Sequence, residues 1–176
     1  AYREALLADT PDHLRRGVRG GSAAEVLFLR FYHWMCQKKA LTPAGADGHR
    51  VAQALAAMLE ELGQHARQAG HEGALGLNIV AATERMVVAA RTAEPVHLRL
   101  FSGIEQPGEE PLFAGHRTKN IEHPHFRAAF LASGLEPTEG AWQPLPADAI
   151  TWVDTDWEPQ HLKLEPGSAA DGAGSA

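Results

Sequence analysis

The apolar spacing of this chain changes once, at Gly70 to Gly73, from a helical period to a strand-like one. Before that point, Val26, Leu27, Phe31, Trp34 and Met35 fall three and four residues apart and give one apolar helix face. Lys38 or Lys39 closes that helix, because a cation suits its carboxyl end. A loop at Thr42-Pro43-Ala44-Gly45 leads to a second amphipathic helix, from Asp47 to Ala69, with Val51, Leu55, Met58, Leu59 and Leu62 on one side. Thr10-Pro11-Asp12 marks a further helix start, a hydroxyl cap followed by proline at the first helical position. After the glycines, Leu75 to Val80 and Met86 to Ala90 read as strands around a polar turn near Thr83-Glu84. His97 to Phe101, Ala128 to Ala132, Ile150 to Asp154 and His161 to Leu164 are further strand candidates. Gly103 to Glu110 reads as a surface loop. Helices first and strands afterwards imply an α+β fold, an antiparallel sheet packed on a helix layer.

A chain of 176 residues, 44% of them apolar, is long enough to bury a real core as one domain over residues 1–165. Residues 166–176, Pro166 onward, are small and polar and are expected to be a disordered tail. No apolar run approaches the roughly 18 residues of a membrane helix, and no signal-peptide pattern opens the sequence. A net charge of -6 argues against nucleic acid, whose binding needs a basic surface that releases counterions. The lone Cys36 excludes an internal disulfide framework and fits a reducing cytoplasm. Its place late in an amphipathic helix, beside Trp34 and Met35, suits a buried structural thiol.

Ser22-Ala23-Ala24-Glu25 has the spacing of a capping box, in which the serine covers an orphan amide and the glutamate reaches back. His116, His123 and His125 lie close together, with Glu122 adjacent, but no further ligand spacing completes a zinc pattern. A solvated loop leading into the strand at Ala128 accounts for them. Asp154, Asp156 and Glu158 alternate as a polar turn between strands does. Gly17, Gly20 and Gly21 do not form a phosphate-binding loop, and no nucleophile elbow of G-x-S-x-G type occurs. No metal or cofactor is expected.

Several segments resemble, in order, those of class II glutamine amidotransferases. Arg19-Gly20-Gly21-Ser22-Ala23-Ala24-Glu25 resembles the glycine turn and T-D-S-E-like run that opens a pocket helix in that family. Leu77-Asn78-Ile79-Val80 and Glu84-Arg85-Met86-Val87-Val88-Ala89-Ala90-Arg91 resemble its L-N and G-E-R hairpin. Leu131 to Pro137, Trp142-Gln143-Pro144-Leu145-Pro146 and Ile150 to Val153 follow where the family has its A-S-E-P-like strand end, W-x-P-hydrophobic-P and a hydrophobic strand. The nearest relatives by pattern are the ergothioneine-pathway γ-glutamyl amidohydrolases and the glutathione-degradation amidotransferases. The match runs from about Tyr2 to Leu164; each string is common, and the shared order carries the resemblance.

That resemblance implies an N-terminal nucleophile hydrolase fold, an αββα sandwich, of which this chain is the carboxyl-terminal portion. It implies a pocket lined by Gly21, Ser22, Ala23 and Ala24 for a small γ-glutamyl substrate. In the family the nucleophile is the first residue, a cysteine whose α-amine acts as base, with an asparagine-glycine pair as oxyanion hole. The sequence opens at Ala1 with none of these groups. The cysteine is therefore expected on a missing segment or a partner subunit, this chain alone carries no catalytic residue, and an exposed sheet face or edge should drive oligomerisation. Ala23 also stands where the family has the aspartate that holds the substrate's α-amino group. Losing such a pairing costs on the order of 2–5 kcal/mol, so a non-catalytic binding or scaffolding subunit of the same fold is the alternative. A metal-binding protein using His116, His123 and His125 is a third reading.

Overall fold

The computed structural model describes residues 2–43, 45–71, 76–104, 123–134, 142–147 and 149–164. It divides into two compact units, Val96–Pro144 and the residues on either side of that stretch. The larger unit begins with α1 (Tyr2–Ala8), α2 (Asp12–Arg15) and α3 (Ala23–Gln37), followed by a minimal hairpin of β1 (Leu41–Thr42) and β2 (Gly45–Ala46). Next come α4 (Gly48–Gln68), β3 (Ile79–Ala82) and β4 (Val87–Ala90), and, after the second unit, β8 (Ala149–Val153) and β9 (Gln160–Lys163). The second unit contributes β5 (Val96–Ile104), β6 (His123–Ser133) and β7 (Gln143–Pro144). The expected α+β class is the one observed, with the main antiparallel strands after the helices and the minimal β1–β2 hairpin between α3 and α4.

In the larger unit the strands form an antiparallel sheet ordered β3-β4-β8-β9. The pleat places Val88, Ala90, Ile150 and Trp152 on the face that shares its core with α4. Leu55, Met58, Leu59 and Leu62 of α4 are at most 1% exposed, and burying each contributes roughly 1.5–3 kcal/mol. Helix α3 packs against α4, with Val26, Phe31 and Met35 buried, and α1 packs against both helices through Leu6. All five residues of β8 are buried, as expected of a central strand covered on both faces. In the second unit β5 runs between β6 and β7, antiparallel to each.

Both long helices end in the same motif. In α4, Gly70 takes a positive φ of 81°, and the amides of His71 and Gly70 return to the carbonyls of Ala66 and Arg67. This double closure satisfies carbonyls the helix leaves free. In α3 the left-handed position falls on Lys39, φ 52°, with the amides of Ala40 and Lys39 returning to Met35 and Cys36. Asp47 caps α4 by accepting from the amide of Arg50 at 2.9 Å.

The structure departs from the sequence reading at several points. Thr10 does not cap α2: its hydroxyl donates to the carbonyl of Leu6 at 2.7 Å, and Pro11 precedes the helix with no side-chain cap. Helix α1 was not foreseen, although Glu4, Ala5, Leu6, Leu7 and Ala8 are all good helix formers. Thr42 and Gly45 belong to the short β1–β2 pair rather than to a plain loop. Strand β3 starts at Ile79, because the loop after β4 has already taken the backbone groups of Leu77: its amide donates to Thr92 Oγ1 at 3.1 Å and its carbonyl accepts from the same hydroxyl. Cys36 is exposed, not buried. One residue is about 100° of helix rotation, so Met35 takes the inward position and turns its neighbour outward. Strands β5 and β6 run longer than expected, and Gly103, assigned to a loop, lies within β5. Residues 105–110 of that loop and the whole of the expected tail, 166–176, lie outside the described residues.

Candidate functional site

The four residues expected to line a pocket, Gly21, Ser22, Ala23 and Ala24, sit together at the amino end of α3 and are exposed. Ser22 is the N-cap, in extended geometry at φ -73° and ψ 135°, and its hydroxyl accepts from the amide of Ala24 at 3.2 Å. Glu25 reaches back further than a capping box requires. One carboxylate oxygen accepts from the amide of Arg19 and the other from that of Gly20, each at 2.8 Å. From the opposite side, Arg3 of α1 donates to the carbonyl of Gly20 at 2.8 Å.

These contacts fix both the shape and the charge of the loop. The amide of Arg19, then that of Gly20, holds the Glu25 carboxyl below its ordinary pKa, and the nearby charges of Arg3 and Arg19 act in the same direction. Glu25 is the only acid in the first turn of α3. Both of its oxygens are committed to loop amides. The helix start can offer backbone donors to a polar ligand.

A second polar cluster lies deeper, and the sequence reading passed over it. Arg30 is 5% exposed and pairs with Glu61 of α4, while its other terminal nitrogen donates to the carbonyl of Asp9 at 2.5 Å. The indole of Trp34 donates to the second oxygen of Glu61 at 2.6 Å. His65 lies 3.2 Å from a carboxylate oxygen of Asp9 and 3.8 Å from Glu61. The cluster ties the end of α1 to α3 and α4. The signal for it was present: an arginine four residues after Val26, on the face that also carries Phe31 and Met35, has to find a partner.

The remaining resemblance segments take structural roles where they are described. Asn78 spends its side chain on the loop after β4, accepting from the amides of Thr92 and Ala93 and donating to the carbonyl of Glu94. Arg91 donates to the carbonyl of Leu145 at 3.0 Å. Asp154 and Asp156 form the turn between β8 and β9, with the amide of Asp156 bonded to the Asp154 carboxylate at 3.0 Å. His123 and His125 lie on β6, whereas His116, Glu122 and residues 135–137 fall outside the described residues. Among the described residues no group of three or more His, Cys, Asp or Glu is placed to hold a metal ion. No helix among them is long and apolar enough to cross a membrane.

No protein-family model matches the sequence, and no curated protein does. A solved structure does: a glutamine aminotransferase class-II domain protein from Silicibacter pomeroyi, with a TM-score of 0.61 at 18% identity. The likeness covers 95% of this chain. The fold is class II glutamine amidotransferase-like. The chain spans 62% of the length of that neighbour.

Proposed function

We propose that this chain is the carboxyl-terminal portion of a class II glutamine amidotransferase-like amidohydrolase acting on a γ-glutamyl amide. The observation that carries the reading is the structural likeness, which takes in almost the whole chain but under two thirds of the neighbour. The catalytic cysteine then comes from a segment outside this sequence or from a partner subunit. Gly21, Ser22, Ala23 and Ala24 line the substrate pocket, held by the contacts of Glu25 and Arg3. The chain by itself supplies no nucleophile for the reaction.

Native mass spectrometry of the protein isolated from its source, with a Cys36→Ser substitution, tests this reading. The expected result is a species containing a further segment or subunit that begins with a free cysteine. That species hydrolyses a γ-glutamyl amide and loses the activity on alkylation. Cys36 is exposed, so the substitution makes alkylation report the nucleophile alone. A species lacking such a cysteine and inert toward γ-glutamyl amides overturns it.

The second reading is a non-catalytic subunit of the same fold. The exposed methyl of Ala23 favours it: that position carries no carboxylate to hold an ammonium group, and Glu25 is spent on the loop. An assembly with the cysteine-bearing piece that binds γ-glutamyl compounds without turning them over is its signature.

A further inference from the structure

We propose that Arg3 and Glu25 are positioning residues for the loop Arg19 to Ser22 and the start of α3 that follows it, acting as the two jaws of one clamp. The inference rests on the reading that this loop lines a ligand pocket. Glu25 holds the loop from its amide side, through Arg19 and Gly20. Arg3 holds it from its carbonyl side, through Gly20, seventeen residues away in sequence. Gly20 is gripped at both ends of one residue, so neither jaw can shift without moving the peptide that leads into Gly21 and Ser22.

Three details favour a positioning role over a local cap. A capping box needs only the Ser22 amide, yet Glu25 bypasses it for two residues further upstream. The two carboxylate oxygens take separate amides, which fixes the plane of the carboxylate as well as its place. Gly20 is packed closely enough that a β-carbon there would lie 3.1 Å from a Glu25 oxygen, so the loop backbone is seated against the jaw. Hydrogen bonds to a charged acceptor are the stronger kind, and the Arg3 and Arg19 charges beside Glu25 keep it ionised. Both act through the loop backbone.

The test is amide-resolved NMR of the full chain, with L-glutamine as the probe, on wild type and on Glu25→Gln, Arg3→Met and Arg3→Lys. In the wild type the Arg19 and Gly20 amide protons should titrate together, following the Glu25 carboxylate, with Arg3 and Arg19 the charged groups facing it. That titration should vanish in Glu25→Gln. Arg3→Met should move the Gly21 to Ala24 amides along the same direction as Glu25→Gln, and Arg3→Lys should restore part of the wild-type position. L-glutamine binding, read at those four amides, should weaken by about fivefold or more in Arg3→Met, with the unfolding midpoint unchanged. Arg19 and Gly20 amides indifferent to residue 25 would overturn the clamp, as would Gly21 to Ala24 amides indifferent to residue 3. If the wild type gives no response to L-glutamine while the amides behave as expected, the clamp stands and the pocket reading falls.

Discussion

Gly48 and Trp152 meet without room for a side chain between them: a β-carbon at Gly48 would lie 2.4 Å from the indole nitrogen. The contact joins the first turn of α4 to the central strand β8, with Met86 also alongside at 3.4 Å. Gly48→Ala should therefore destabilise the fold by roughly 1–3 kcal/mol through overpacking, even though alanine is the better helix former. Urea unfolding followed by tryptophan fluorescence measures this, and Trp152→Phe should recover part of the loss in the double variant.

Arg30 and Glu61 should behave as a buried pair. Removing one partner in Glu61→Leu leaves a guanidinium at 5% exposure without its carboxylate, at a cost of about 3–5 kcal/mol. The double variant Arg30→Met with Glu61→Leu should cost much less than the sum of the two singles. A double-mutant cycle by chemical denaturation shows whether the coupling is of that size.

Lys39 occupies a left-handed position that glycine occupies at the end of α4. A non-glycine residue there costs roughly 1–2 kcal/mol, partly offset by the greater entropy glycine loses on folding. Lys39→Gly should consequently stabilise the protein by a few tenths to about 1 kcal/mol. A rise in the urea midpoint at unchanged slope would show it; a fall would mean that the lysine side chain itself matters.

Acidification should weaken the fold through His33. Burial lowers its pKa and the charge of Arg30 lowers it further, against the opposing pull of Glu61. With the folded value below the ordinary one of about 6.5, the unfolded chain binds more protons in the window between them. Stability contributed here rises with pH through that window and is level above it. His33→Gln should flatten the slope of unfolding free energy between pH 7 and pH 5, measured by denaturant titration at each pH.

How much of this could be read from the sequence depended on whether the controlling partner was near in the chain. Helix α4 was placed to within a residue because its cap, Asp47, its apolar stripe and its terminating Gly70 are all local signals. The β3–β4 turn was found for the same reason. Strand β3 was started too early because the partner that claims Leu77 is Thr92, fifteen residues on. Thr10 was assigned to the wrong helix because a hydroxyl can bond forward or backward, and only packing at Leu6 decides. At the candidate site, Ser22 and Glu25 announced themselves by spacing, while Arg3 could not: nothing local marks a guanidinium as the partner of a distant carbonyl.

The connection between α3 and α4 leaves no spare length. The carbonyls of Met35 and Cys36 close the end of α3, that of Lys39 accepts from Arg50, and that of Ala40 accepts from the amide of Asp47. The Ala40–Asp47 bond, the Lys39–Arg50 bond and the β1–β2 pairing all span this connection, so one more or one fewer residue between Ala40 and Asp47 would disturb them. Loop grafts, tags and affinity handles belong elsewhere, for instance at the exposed turn from Thr155 to Glu158. Natural variants of this chain should differ in length there long before they differ between its two main helices.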